Sequence, residues 1–159
     1  GVLYINDFNK LVIQKLLKEH NLIFHSLIVV KPHIFISSKN PLAKKKKVTM
    51  EELRLYPYLS FEQGEHNSFY YSEEIFSSVV RYKNIRVRDR ATLFNLLIGL
   101  NGYTVCSGII DENLNGKDIV AVALDKEGEM NIGYITRKDS LTSDLANAYI
   151  EALKQHVNK

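Results

Sequence analysis

Short apolar runs of strand type alternate with stretches of helical periodicity along nearly the whole chain. That alternation restricts the fold to α/β architectures rather than a helical bundle or a β-sandwich. Residues 1–5, GVLYI, form the first run. Asp7 can cap the next segment, where Phe8, Leu11, Val12 and Leu16 recur at helical spacing. His20-Asn21 ends it, because Asn tolerates a left-handed turn. Residues 24–30 and 33–37 read as strands parted by Lys31-Pro32. Asn40-Pro41 turns the chain, Thr49 with Glu51 and Glu52 starts a short helical turn, and Tyr56-Pro57 stops it before a strand at 58–61.

EQGEHNS is a polar loop around Gly64, and Asn67 or Ser68 can cap an amphipathic helix carrying Phe69, Ser72, Ile75, Phe76, Val79 and Val80. Further strands are predicted at 85–87, 103–106, 119–124 and 131–136. Asp89 caps the helix between the first two of these and Gly102 ends it. Thr142 or Ser143 caps a last helix with Leu145, Ala148, Tyr149, Ala152 and Leu153 on one face.

With 159 residues, 45% hydrophobic and 25% charged, the chain is long and apolar enough for one or two packed units. Its net charge of +3 rests on the Lys44 to Lys47 run; of 21 Lys and Arg, removing these four leaves 17 against 18 acidic residues. That run reads as a solvated turn, and the balance elsewhere gives no footprint for nucleic acid. Cys106 is the one cysteine, so an internal disulfide and a Cys-rich metal cage are excluded. It reads as a buried structural thiol in a reducing, cytoplasmic protein. His20, His25, His33, His66 and His156 are scattered, with no metal-site spacing among them, and no metal or cofactor is expected. No apolar run approaches the roughly 20 residues of a membrane span. GVLYIND resembles the end of a buried strand, so the chain reads as a fragment.

The stretch HIFISSKNPLAKKKKVTMEELRLYPYLSFE resembles the mid-region of the effector-binding domain of LysR-type transcriptional regulators, through Pro41-Leu42-Ala43 and Pro57-Tyr58-Leu59. ATLFNLLIGLNGYTVCSGI is similar to that family's helix, Gly-x-x-Gly turn and apolar strand, and IGYITRKDSLTSDLANAYIEALKQH to its closing strand and helix. Asn101 and Ser107 depart from the pattern, standing where a small or apolar residue and a Pro are more usual.

The resemblance covers essentially the whole chain. It implies an α/β fold of two Rossmann-like lobes of periplasmic-binding-protein type, joined by two crossover strands at about 33–38 and 120–124. Residues 39–119 would form lobe II, and residues 1–32 with 125–159 an incomplete lobe I. The winged helix-turn-helix of the family would lie before this chain.

Sheets of this kind bind ligands at the carboxyl ends of their strands. The strand at 85–87 delivers Arg90, Ala91 and Thr92 to a helix start, where backbone N–H groups, a guanidinium and a hydroxyl suit a carboxylate or phosphate. Capping and surface roles compete for the same residues. Phe61, Glu62 and Gln63 occupy the positions at which the family contacts effectors, with core or surface roles as alternatives. Tyr4 and Asn6, after the first strand, and Tyr103 complete the candidate set.

The function implied is sensing of a small, anionic metabolite effector between lobes, with lobe closure altering attached DNA-binding dimers. DNA would be met only through the absent N-terminal domain, in a homo-oligomer free of the membrane. The alternative is a solute-binding protein of a transporter. No Gly-x-Ser-x-Gly, Walker or Gly-x-Gly-x-x-Gly motif is present, and Thr136-Arg137-Lys138 departs from the Thr-Arg-Phe of dehydratases on this fold, so no catalysis is expected.

Overall fold

The predicted alternation of strands and helices is present, and the elements gather into two compact units, Gly1–Val30 with Glu129–Lys159 and Lys31–Gly128. The structure, a computed structural model, describes residues 1–63, 68–139 and 141–157. Gly64, His66 and the alternative cap Asn67 lie outside the described residues. In chain order the elements are β1 (Val2–Ile5), α1 (Lys10–Glu19), β2 (Leu22–Val30), β3 (His33–Ser37), β4 (Lys47–Val48), α2 (Met50–Leu53) and β5 (Tyr58–Phe61). They continue with β6 (Asn84–Val87), α3 (Arg90–Gly99), β7 (Tyr103–Cys106), α4 (Glu112–Asn115), β8 (Ile119–Leu124), β9 (Met130–Arg137) and α5 (Asp144–Val157).

In the first unit β9 is the central strand of three, antiparallel to both β1 and β2. β1, expected to be buried, is half-buried, and Val2 is 47% exposed. Asp7 does not cap α1. Instead Asn6 and Asn9 exchange backbone-to-side-chain hydrogen bonds of 2.8 and 2.9 Å, and the Asn9 amide donates to the Tyr4 carbonyl at 3.1 Å. Starting the helix at Lys10 turns Ile13 and Leu17, four residues apart, onto the sheet and leaves Phe8 and Leu11 outside. Asn21 has φ +51°, as the helix stop requires.

The Ser143 hydroxyl caps α5, accepting from the Ala146 N–H at 3.2 Å. The inward face of α5 differs from the expected one. Ala146, Ile150, Leu153 and Val157 are half-buried, whereas Leu145 and Tyr149 are exposed. The helix carries two apolar stripes, and only its packing on the sheet selects between them.

The second unit is a six-stranded sheet in the order β4-β8-β3-β7-β5-β6. β3 runs antiparallel to β7 and β8, β4 parallel to β8, and β5 parallel to β6 and β7, so β3 alone points the other way. Phe35, Leu59, Val87, Leu93, Leu97 and Ile119 form a buried cluster beneath α3. Ile34 and Ile36 alternate with Phe35 and are fully buried, so β3 is covered on both faces.

Local chemistry frames this sheet. Thr49 and Glu52 form a capping box at α2. Lys44 to Lys47 are exposed; Lys45 pairs with Glu52, and Lys47 with Asp125 at 3.1 Å. Asn101, with φ +53°, accepts from the Asn40 amide at 2.9 Å, so this departure from the family pattern ties the turn after α3 to the loop after β3. Ser107 likewise accepts from the Ile109 N–H at 3.3 Å, holding a turn in place of a ring.

The helix expected from Ser68 to Val80 is absent. Ser68 caps only the short 3-10 turn Phe69–Tyr71, and Phe76 takes φ +63°. Serines and paired valines favour competing backbone geometries over a helix. The segment is anchored instead by Glu74, 3% exposed, whose carboxylate accepts from the Phe61 N–H at 2.7 Å and the Ser72 hydroxyl at 3.1 Å. Burial pushes the Glu74 carboxyl upward, and the Phe61 N–H offsets only part of that.

Because the folded acid binds its proton more tightly, stability is fully present below the ordinary value of 4.5 and falls as pH rises through the raised value. Glu74→Gln should flatten this slope in urea melts between pH 4 and neutrality, conditions taken from the same carboxyl range. Glu74→Ala should cost about 1–3 kcal/mol by stranding the Phe61 N–H. A wild-type slope retained in the Gln variant would show that another group sets it.

Candidate functional site at the strand ends

Parallel β5 and β6 pair in register from Tyr58 opposite Asn84 to Phe61 opposite Val87, so their carboxyl ends reach the same edge of the sheet. The ladder continues one step further, with the Glu62 N–H donating to the Val87 carbonyl at 2.8 Å. Beyond it the Arg88 guanidinium Nε donates to Glu62 Oε2 at 2.5 Å, clasping the two strand ends together. That hydrogen bond holds the Glu62 carboxyl below its ordinary value.

β6 then runs directly into α3. Asp89 is the cap: its carboxylate accepts from the Thr92 backbone N–H at 2.8 Å and from the Thr92 hydroxyl at 2.7 Å. The backbone donor is the main reason the Asp89 carboxyl lies below its ordinary value. A carboxylate therefore already answers the positive end of the α3 dipole. The Thr92 hydroxyl spends its one donor on Asp89, and what it presents outward is an acceptor.

Arg90 behaves differently from Arg88. Its guanidinium carbon lies 4.8 Å from the centre of the Phe94 ring, and its charge is felt at Cys106, on the end of β7. Among the described residues no carboxylate forms an ion pair with it. This leaves a stacked guanidinium over the strand ends with donors to spare.

Six of the candidates are thus assembled at one edge. Phe61 ends β5, Glu62 and Gln63 follow it, and Arg90, Ala91 and Thr92 open α3. Phe61 is half-buried, its ring packed against the core cluster, while Glu62, Arg90, Ala91 and Thr92 are exposed. Tyr103 is not brought to this edge. It starts β7 opposite Tyr58, at the amino ends of the parallel strands, and is 3% exposed. Tyr4 and Asn6 belong to the first unit, where Asn6 serves the α1 turn and Tyr4 pairs with Ile132 in the sheet.

Sequence reasoning missed Arg88 and Phe94. The spacing Glu62, Arg88 becomes meaningful only once the β5–β6 register is known, whereas Arg90 and Phe94 stand at a helical i, i+4 interval that could have flagged the stack. Cys106 packs against the core, and burial pushes its thiol up to about 12, an inert rather than a reactive setting. No metal-binding group of three or more His, Cys, Asp or Glu occurs among the described residues.

In a mainly parallel sheet the carboxyl ends of the strands are where such folds place their ligands, and here those ends carry a polar rim. The family model for the LysR substrate binding domain matches residues 11–158, and the chain belongs to that family. No curated protein sequence matches it. Among solved structures it is similar to HinK, a LysR family transcriptional regulator from Pseudomonas aeruginosa, with TM-score 0.60 and 13% identity over 86% of this chain and 49% of that one. It spans about half the length of that regulator.

The effector binding domain of QuiR in complex with shikimate gives TM-score 0.55 and 15% identity, over 86% of this chain and 65% of that one. The regulatory domain of CcmR from Synechocystis, in complex with 2-PG, gives 0.59 and 12%, over 87% and 68%. At these identities the likeness speaks for the fold. No helix among the described residues is long and apolar enough to cross a membrane.

Proposed function

We propose that this chain is the ligand-sensing regulatory domain of a LysR-type transcriptional regulator, and that a small anionic metabolite binds at the carboxyl ends of β5 and β6. The observation that carries the reading is the arrangement at that edge: the Glu62–Arg88 clasp, the Asp89-capped start of α3 and the stacked Arg90 guanidinium. Glu62 and Asp89 already engage donors, so Arg90 is the residue able to meet an added carboxylate or phosphate, with the Thr92 oxygen accepting from a ligand hydroxyl. Family membership favours this reading over a transporter's solute-binding protein. Two neighbours carry small molecules, the effector binding domain of QuiR with shikimate and the regulatory domain of CcmR with 2-PG, which supports an effector of similar size. DNA contact through a separate winged helix-turn-helix, and assembly as a homo-oligomer, belong to the same reading.

Binding changes regulation only through its difference between conformations, and the effector must favour one of them by several kcal/mol to switch occupancy strongly. A thermal-shift screen of carboxylated and phosphorylated metabolites on this chain tests the site. For a metabolite that stabilises the wild type, Arg90→Ala should weaken affinity by about tenfold or more. Thr92→Ala should weaken it less, because that hydroxyl's proton is held by Asp89. Wild-type affinity in both variants would remove the site from this edge.

A further inference from the structure

Successive N–H groups along β5 point to opposite sides of the strand. Those of Tyr58 and Glu62 face β6 and donate to the Lys83 and Val87 carbonyls at 2.7 and 2.8 Å. The Phe61 N–H therefore faces the other way, toward β7, which pairs with β5 only at Tyr58 opposite Tyr103. Its acceptor is a side chain rather than a strand, the Glu74 carboxylate at 2.7 Å. One buried acid thus takes the place of a ladder bond at the end of β5 that leads into Glu62.

The segment carrying Glu74 is fixed at both ends of β5. At the amino end, Arg81 donates through Nη1 to the Phe76 and Val79 carbonyls at 3.0 and 2.9 Å, and its guanidinium carbon lies 3.7 Å from the centre of the Tyr58 ring. At the carboxyl end, Glu74 holds Phe61 with one oxygen and accepts the Ser72 hydroxyl with the other. The charges around it are Glu73 beside it, Arg81 further along, Lys126 over the Phe76 ring, and Glu62 with Arg88 at the adjoining strand ends. None of these cations forms an ion pair with Glu74 among the described residues. The carboxyl can therefore gain or lose a proton and keep its tie. In the acid form one oxygen still accepts from Phe61, while the Ser72 oxygen accepts from the added O–H. What changes is strength, because a bond to an ionised acceptor is about twice as strong as one to a neutral acceptor.

We propose that Glu74 is a positioning residue of the effector edge, acting through the Phe61 N–H on the Glu62–Arg88 clasp one residue further on. Because the clasp belongs to the edge assigned above to the effector, this role rests on that reading. The ionised acid draws the end of β5 in and sets the clasp; the neutral acid relaxes it.

The first test needs no ligand. In NMR titrations of the wild-type chain, the Phe61 and Glu62 amides and the Arg88 Nε–H should shift together in one transition above pH 4.5, the ordinary value for Glu74. Glu62 itself lies below its ordinary value and titrates separately. Glu74→Gln, which keeps an oxygen for Phe61 and cannot ionise, should abolish the common transition. A transition confined to Phe61 that leaves the Arg88 Nε–H unmoved, or one that persists in the Gln variant, would overturn the proposal. Sulfate then serves as the anion probe. It should bind Glu74→Gln several-fold more tightly than Glu74→Ala, since both lack the charge and only Gln keeps the acceptor. Equal sulfate affinity in the two folded variants would also overturn it. If the Ala variant fails to fold, the Gln titration decides. Sulfate that moves none of the amides at 88–92 in the wild type counts against the effector edge, and the ligand-free titration then decides the role of Glu74 alone.

Discussion

Gly133→Ala is expected to unfold the smaller unit. Gly133 sits in β9, the strand shared by β1 and β2, opposite Leu3 on one side and Ser26 on the other. A Cβ there would lie 2.2 Å from the His25 carbonyl oxygen and 2.5 Å from the Phe24 ring. The first of these is backbone within the β2–β9 ladder and cannot rotate aside. The strands would have to separate at their centre, next to the bulge between Ser26 and Ile28. Overpacking usually costs about 1–3 kcal/mol, and a collision with paired backbone belongs at or above the top of that range. Amide hydrogen exchange should show protection in β9 falling by about two orders of magnitude or more, which 3 kcal/mol corresponds to. Unchanged exchange would mean that the close approach of β2 and β9 is wrong.

The second large effect is expected at Gly108, just past the end of β7. Its φ of +83° already disfavours any side chain, and a Cβ would stand 2.6 Å from Cγ of His33. His33 has little room to yield, because its Nδ1 donates to the Lys31 carbonyl at 2.8 Å and its backbone pairs with Cys106 and Ala123. Strain and collision act together, so Gly108→Ala should destabilise the larger unit by about 3 kcal/mol in urea melts. A loss within about 0.5 kcal/mol, the range of ordinary surface changes, would contradict the turn geometry.

These effects mark the boundary of what the sequence discloses. Caps written in adjacent residues were legible: Thr49 with Glu52, and Asp89 before α3, announce their helix starts by type and spacing. The choice between Asp7 and the Asn6–Asn9 pair was not, because both are good turn formers and only tertiary packing selects the starting residue. The stretch after Ser68 shows apolar residues at helical intervals and still forms no α-helix. What decides it is the burial of Glu74 against β5 and the left-handed Phe76, both long-range outcomes.

Register limits the site in the same way. Phe61 and Thr92 could be placed together because Phe61 ends one predicted strand and Thr92 follows another in a parallel sheet. Tyr103 could not be placed, since whether a strand residue lies at the ligand edge or the far end depends on pairing that no local pattern encodes. Arg81 carries no sequence signal at all: the two carbonyls and the aromatic ring around its guanidinium are brought together only by folding.

The central claim is that the rim formed by Glu62, Arg88 and the first turn of α3 receives the effector. The most direct test is to assign the backbone amides of this chain and titrate a carboxylated or phosphorylated metabolite that stabilises it. The account predicts saturable shifts concentrated at residues 61–63 and 88–92, lost when Arg90 becomes alanine. Saturable binding that leaves those amides unmoved would contradict it.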